Sequence, residues 1–228
     1  LLIRLTNLEF FSLTVGRGAI GGLSILLGFS LYYRRNLKVQ ILAIGGWGLI
    51  LALLQGSSTW MFHAALKNTS VANVLLFLAS TPLISALMTK MFLQDEIQRS
   101  TWIAIIAVGT GLAIVASEGL ILGNWMGDLF ALLNAVIIAA FFTVIRGRRN
   151  INLIPAAGLG LLFAAIVAIP FAVFPAMSSF QWFYLILGAG FVLPVAAALL
   201  TIGPRYLPTP EAAMLTLLEV VLGPLWVW

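Results

Sequence analysis

Long stretches of this chain are apolar, and most charged residues lie in the short segments between them. Residues 68–89 form one such stretch, twenty-two residues without a charge between Lys67 and Lys90. An α-helix needs about 20 apolar residues to cross the roughly 30 Å hydrocarbon core of a membrane. This stretch is therefore predicted to span a membrane.

Polar side chains within residues 68–89 fall on one broad helical face. At about 100° per residue, that face holds one aromatic and four polar residues, namely Asn73, Phe77, Ser80, Thr81 and Ser85. Lipid offers polar groups no hydrogen-bond partner, so these side chains are expected to face protein or a cavity. Pro82 lies in the middle of the stretch, where a missing N–H breaks one helical hydrogen bond, and it is predicted to be a hinge.

Apolar stretches of similar length recur and predict an all-α integral membrane protein. Eight full spans are visible, at about 10–33, 39–66, 69–93, 101–117, 125–146, 153–174, 180–203 and 210–228. Residues 1–3 and the apolar run that ends at Trp228 each indicate a further helix, missing or partial in this sequence. One such helix at each end makes a ten-helix bundle.

Small residues recur at a spacing of four within two of these spans. Gly18 with Gly22, and Gly160 with Ala164, lie on single faces of their helices. Because small side chains let helix backbones approach closely in lipid, these pairs predict close helix contacts.

Basic residues are divided unevenly between the two sides of the predicted bundle. Two of them, Arg4 and Lys67, fall on one side, and Arg17 lies within a span. Nine fall on the other side: Arg34, Arg35, Lys38, Lys90, Arg99, Arg146, Arg148, Arg149 and Arg205. An excess of basic residues marks the cytoplasmic side. We therefore expect a multi-pass protein of the cell (inner) membrane with both termini of the complete chain in the cytoplasm.

The composition agrees with this pattern and excludes several classes of protein. The chain is 62% apolar and 8% charged, whereas soluble domains are about 25% charged. Its net charge of +5 is spread over the ends of spans, without a basic stripe that could follow a nucleic acid. The sequence contains no cysteine and no P-loop, and we expect neither a cofactor nor a metal site.

Glu219 is the acidic residue placed deepest in the predicted membrane. It lies nine residues into the last span, about 13 Å along a helix and close to the bilayer midplane. A carboxylate at that depth is costly unless it is paired, hydrated or protonated. Two interpretations stay open: a carboxylate that binds a proton or substrate, or a neutral acid hydrogen-bonded to a neighbouring helix.

A substrate pocket is predicted at the middle of the bundle, between the helix of Phe77 and the helix of Glu219. Mixed aromatic and small polar walls suit a zwitterionic or amphipathic metabolite. The residues predicted to line it are Trp60, His63, Asn73, Phe77, Ser80, Thr81, Asn134, Tyr184 and Glu219. For His63, Asn73 and Asn134 the alternative of a hydrogen-bonded contact between helices stays open.

Several short motifs follow one another along the chain. Arg17 lies in the first full span, and residues 68–72 and 80–83 read Asn-Thr-Ser-Val-Ala and Ser-Thr-Pro-Leu. Further along come Asp95-Glu96, Trp102, Gly109, Gly111, Gly127-Asp128, the run Tyr-Leu-Pro-Thr-Pro-Glu-Ala-Ala at 206–213, and Leu-Glu-Val at 218–220. In this order the motifs resemble the EamA-type domains of the drug/metabolite transporter superfamily, although Val220 stands where that family usually has a proline.

This resemblance implies two five-helix repeats, residues 1–122 and 123–228, with the first helix of one and the last helix of the other largely absent. An odd number of helices in each repeat would make the second an inverted copy of the first. The resemblance also implies a secondary transporter, most similar to exporters of amino acids and similar small metabolites. The expected partners are a small-molecule metabolite, the lipid bilayer and, if transport is coupled, a proton; the protein is expected to be a monomer or a homodimer.

Two other classes of function stay open. An intramembrane protease needs a serine beside a histidine base, and Ser57 or Ser58 with His63 is the available combination, without a Gly-x-Ser-x-Gly pattern. A channel would show repeated rings of polar or charged residues along a continuous path. A single acid deep in the membrane, Glu219, does not form such rings. The sequence therefore favours a transporter over an enzyme, a channel or a scaffold subunit.

Overall fold

The computed structural model describes residues 8–34, 37–94, 96–117, 125–173 and 177–227. Residues 219–227 are described by their backbone alone. Over these ranges the chain forms helices and no strand. Among the described residues, six stretches are helical, long and apolar enough to cross a membrane: Phe10–Tyr32, Lys38–Asn68, Val71–Leu93, Trp125–Gly147, Ile154–Phe171 and Ser179–Tyr206. These helices confirm the prediction of an all-helical, multi-pass membrane protein. The other two predicted spans are also helical, but their crossing of the membrane stays a prediction.

The α-helical segments do not each correspond to one span, because several spans are divided. In chain order they are α1 (Phe10–Tyr32), α2 (Leu37–Asn68), α3 (Val71–Leu78), α4 (Thr81–Met88), α5 (Arg99–Ser117), α6 (Trp125–Gly147), α7 (Ile154–Ala168), α8 (Ser179–Leu187), α9 (Leu193–Tyr206) and α10 (Thr209–Val227). Short π-helical turns, Thr89–Leu93 and Gly188–Val192, follow α4 and α8, and the 3₁₀ turn Ile169–Phe171 follows α7.

Two of the interruptions can be traced to glycine and proline. Gly45 in α2 has φ +49° and ψ −146°, a conformation that suits glycine because it has no Cβ, and the helix is kinked there. Between α3 and α4 the chain turns at Ala79 and Ser80, and Pro82 occupies the first turn of α4. A proline fits that position because its missing N–H would have no helical partner there. The interruption coincides with the predicted hinge, and hinge motion stays a prediction.

The chain divides into two compact units, each built from two segments. Unit 1 comprises residues 1–56 and 150–202, and unit 2 comprises residues 57–149 and 203–228. The predicted boundary between repeats, at residues 122 and 123, lies outside the described residues. The inverted repeat therefore stays a prediction.

In unit 1, α1 packs along α7 at close range. A Cβ added at Gly18 would lie 2.5 Å from the carbonyl oxygen of Leu161, and one added at Gly22 would lie 2.8 Å from that of Gly158. The two backbones therefore touch where the glycine spacing predicts close contact. Ser12 Oγ extends this contact by donating to the carbonyl oxygen of Val173 at 2.5 Å.

In unit 2, α6 packs against α3, α4 and α10. One buried apolar cluster in this unit consists of Ala65, Val74 and Ala131, with Phe77, Leu78 and Phe130 packed against them. A Cβ added at Gly127 would lie 2.5 Å from the carbonyl carbon of Asn68, so the start of α6 touches the backbone at the end of α2. This close approach brings the polar side chains at these helix ends together.

Candidate functional site

Polar side chains converge on Asp128, in the first turn of α6. Its Oδ1 accepts a hydrogen bond from Thr69 Oγ1 at 2.8 Å and another from Asn73 Nδ2 at 2.9 Å. Thr69 lies between α2 and α3, and Asn73 lies in the first turn of α3. One carboxylate oxygen thus ties the α2–α3 connection to the start of α6.

The serine that begins α3 completes this cluster. Ser70 Oγ accepts from the backbone N–H of Asn73 at 3.1 Å, which caps the helix, and donates to Asn73 Oδ1 at 3.0 Å. Both ends of the Asn73 amide are therefore hydrogen-bonded, and the residue is only 3% exposed. The structure assigns it a contact between helices; a contact with substrate stays a prediction.

A second polar pair lies further along α6. Ser58 Oγ, in the part of α2 that belongs to unit 2, donates to Asn134 Oδ1 at 2.7 Å. Asn134 is 1% exposed, so this bond satisfies a buried amide oxygen within an apolar helix. A serine nucleophile would donate its proton to a histidine base. The Ser58 hydroxyl donates to an amide instead, which removes one of the two serines considered for a protease.

The other predicted substrate-binding residues occupy several environments. In unit 2, Ser80 Oγ donates to the carbonyl oxygen of Phe77 at 2.5 Å, and Thr81 is 2% exposed. Trp60 and His63 are half-buried on α2. In unit 1, Tyr184 is half-buried on α8, with its ring 5.8 Å from that of Phe183 between centroids. The backbone of Glu219 lies in α10, and its side chain lies outside the described part of the chain.

A groove lies at the opposite end of α4, where the π-helical turn leads towards α5. It has a volume of about 450 Å³ and is lined by Lys90, Gln94, Glu96, Ile97 and Trp102. Gln94 ends the π-helical turn with φ +56°. None of the predicted substrate-binding residues lines this groove, so it does not test the predicted midplane pocket.

The first half of the sequence identifies the family. The EamA-like transporter family matches residues 2–117, just over half of the chain. The chain belongs to the EamA-like transporter family. The predicted resemblance is thereby confirmed. Membership of this family indicates a membrane transporter of small molecules, and it points to a transporter rather than an enzyme.

Two further comparisons concern whole chains. No curated protein matches this sequence. One protein of known crystal structure is similar over 94% of this chain and 80% of its own, with a TM-score of 0.59 and 19% sequence identity. At that identity the likeness supports the fold of this EamA-like transporter and carries no information about its substrate.

Sequence reasoning missed the hydrogen-bonding role of several polar residues in this EamA-like transporter. Asp128 was visible only as part of a Gly-Asp motif at the start of a span, and its partners lie 55 and 59 residues away. Similarly, Thr101 Oγ1 on α5 donates to Glu211 Oε1 in the first turn of α10 at 3.2 Å. The sequence shows that Asp128 and Glu211 each lie at the start of a helix. It does not indicate which hydroxyl group donates a hydrogen bond to either carboxylate.

Proposed function

We propose that this EamA-like transporter is a secondary transporter that exports amino acids or similar small metabolites by alternating access. The observation that carries the proposal is the burial of polar side chains inside apolar helices of a transporter-family chain. Thr81, Ser85 and Asn134 are each at most 2% exposed within α4 and α6. Polar residues at membrane depth are rare and mark substrate paths or the contacts that hold such paths in place.

The predicted substrate-binding residues divide into two groups by exposure. Trp60, His63, Phe77, Ser80 and Tyr184 are half-buried and keep surface for a ligand. Asn73, Thr81 and Asn134 are almost fully buried. We propose that the half-buried residues of unit 2 contact the substrate and set its affinity, and that the buried group, in the same unit, holds the surrounding helices. A substrate contact of Tyr184, in unit 1, stays a prediction. For Glu219 we keep both interpretations, a proton- or substrate-binding carboxylate and a neutral hydrogen-bonded acid.

The proposed transport cycle rests on the two predicted inverted repeats, residues 1–122 and 123–228. Inverted repeats support alternating access because each can take the conformation of the other. The nine basic residues on one side support an inner-membrane protein with both complete termini in the cytoplasm. A proton gradient is the proposed driving force for export, and Pro82 is the proposed hinge.

Flux through proteoliposomes tests the proposal. Purified protein is reconstituted, and the entry of a mixture of labelled amino acids is measured with and without unlabelled amino acids inside the vesicles. A carrier shows saturable uptake that internal substrate accelerates, because the loaded carrier returns by exchange. Flux that rises linearly with concentration and ignores internal substrate would indicate a channel, and a chemically altered amino acid would indicate an enzyme.

A pair of tryptophan variants tests the proposed binding residues in the same vesicles. Trp60→Ala removes a half-buried ring from the proposed site and is expected to raise the KM of transport. Trp125→Ala removes a ring that is 68% exposed at the start of α6 and is expected to leave the KM unchanged. Equal effects of the two substitutions would remove Trp60 from the site.

A further inference from the structure

Arginines from two chain segments of unit 2 meet where α6 and α9 end. Arg146 Nη1 donates to the carbonyl oxygen of Arg205 at 3.2 Å, and Arg205 Nε donates to the carbonyl oxygen of Arg149 at 2.8 Å. Carbonyl groups at the ends of helices carry partial negative charge, which favours a cation there. The two bonds hold the helix ends together and place the Arg205 side chain against the backbone of Arg149.

Two of these arginines keep hydrogen-bond donors that the described protein does not use. Arg205 is half-buried, and among the described residues only its Nε donates. The guanidinium of Arg149 is exposed and makes no hydrogen bond or ion pair with any described residue. A guanidinium carries five N–H donors. Both arginines therefore keep donors for a ligand, and neither has an acidic partner in the described part of the chain.

Exposed apolar side chains lie on the turn that contacts the end of α6. The π-helical turn Thr89–Leu93 reaches the end of α6, where a Cβ added at Gly147 would lie 2.8 Å from Leu93 Cδ2. On that turn Met91 is 73% exposed and Phe92 is 72% exposed. Positive charge at the end of an apolar span, next to outward-facing apolar side chains, matches the boundary between lipid headgroups and acyl chains.

We propose that Arg149 and Arg205, together with Met91 and Phe92, form a binding site for one anionic phospholipid. The guanidinium groups would bind the headgroup phosphate, since their fork geometry matches phosphate oxygens. Met91 and Phe92 would contact the acyl chains. Clustered basic residues just cytoplasmic of a membrane helix attract anionic lipids, and here the helix-end hydrogen bonds hold two of them in place. A free phosphate ion would make no use of the two apolar side chains.

Titration of the purified full chain with phosphatidylglycerol in a non-ionic detergent, followed by native mass spectrometry, tests the site. We expect saturable binding, and Arg149→Gln should weaken it by about fivefold, the effect of one basic residue near an anionic membrane. Arg149→Lys should weaken binding by less than Arg149→Gln, because lysine keeps the positive charge and loses only the fork geometry. Arg34→Gln is the matched control, because Arg34 is an exposed arginine just after α1 on the same predicted side.

Three results would overturn the proposal. Equal weakening by Arg34→Gln and Arg149→Gln would show a diffuse attraction between charges. Unchanged binding in Arg149→Gln and in the double variant Arg149→Gln/Arg205→Gln would leave these arginines as helix caps and topology determinants. Displacement of the lipid by inorganic phosphate, or equal binding of phosphatidylcholine, would show that an anionic phospholipid is not the ligand.

Discussion

The hydrogen bond between Asn73 and Asp128 is expected to be a measurable contribution to the stability of unit 2. The two substitutions Asn73→Ala and Asp128→Ala, made singly and together, form a double-mutant cycle. The Ser70 cap of α3 survives in both variants, because it uses the backbone N–H of residue 73. The cycle therefore isolates the side-chain contact between α3 and α6.

The expected size of the coupling follows from the surroundings of the two groups. A net hydrogen bond to a charged group contributes about 1.5–3 kcal/mol in soluble proteins, whereas interhelical bonds in membrane proteins average about 0.6 kcal/mol and reach about 1.7 kcal/mol. Asn73 is 3% exposed, which favours a strong bond, but Asp128 is half-exposed at the start of α6. Thr69 also continues to donate to the same oxygen. We expect a coupling free energy of about 1 kcal/mol, within the range for membrane proteins.

Unfolding of the purified protein in mixed micelles, followed by circular dichroism, gives the free energies of unfolding for the cycle. Asp128→Ala with Asn134→Ala is the control, because the two residues lie six positions apart on α6, about 9 Å along the axis. Effects at that separation are normally additive to about 0.5 kcal/mol. A coupling between Asn73 and Asp128 no larger than that control would refute the contribution we assign to the bond.

Four other substitutions test the packing of α1, the role of Glu219 and the proposed hinge. Gly18→Ala should lower the free energy of unfolding by about 1–3 kcal/mol through overpacking against Leu161. Gly28→Ala should instead raise it by up to about 1 kcal/mol, because its Cβ would meet nothing within 4 Å. Equal effects of the two substitutions would contradict the close packing of α1 on α7. If Glu219 is a neutral hydrogen-bonded acid, Glu219→Gln should retain flux with its pH dependence intact, since the amide keeps the shape of the acid and most of its hydrogen-bonding capacity. Loss of the pH dependence in vesicle flux would instead assign proton coupling to this residue. Pro82→Ala should slow transport without changing the KM, because alanine supplies the N–H that a helix continuous from α3 into α4 would need. An unchanged maximal rate would exclude the hinge.

The sequence by itself predicted the approximate limits of the apolar stretches, six of which are long apolar helices among the described residues, and it carried the family resemblance. Both follow from local information. A helix in a membrane satisfies its own backbone hydrogen bonds, so a run such as 125–146 is predicted with little reference to its neighbours. The glycine spacing in α1 predicted close contact for the same reason, because Gly18 and Gly22 share one face of a single helix.

Only the tertiary structure decided which polar groups meet. Ser58 and Asn134 are 76 residues apart in the chain, and their bond depends on the rotation of α2 and α6 about their own axes. From its position on the polar face of its helix, Asn73 was predicted to line a cavity. In the structure its side-chain amide is hydrogen-bonded to Ser70 and Asp128. In lipid, apolar patterning shows that a polar group must find a partner but leaves the partner undetermined, because several helices of similar hydrophobicity could present one. That choice is made by packing.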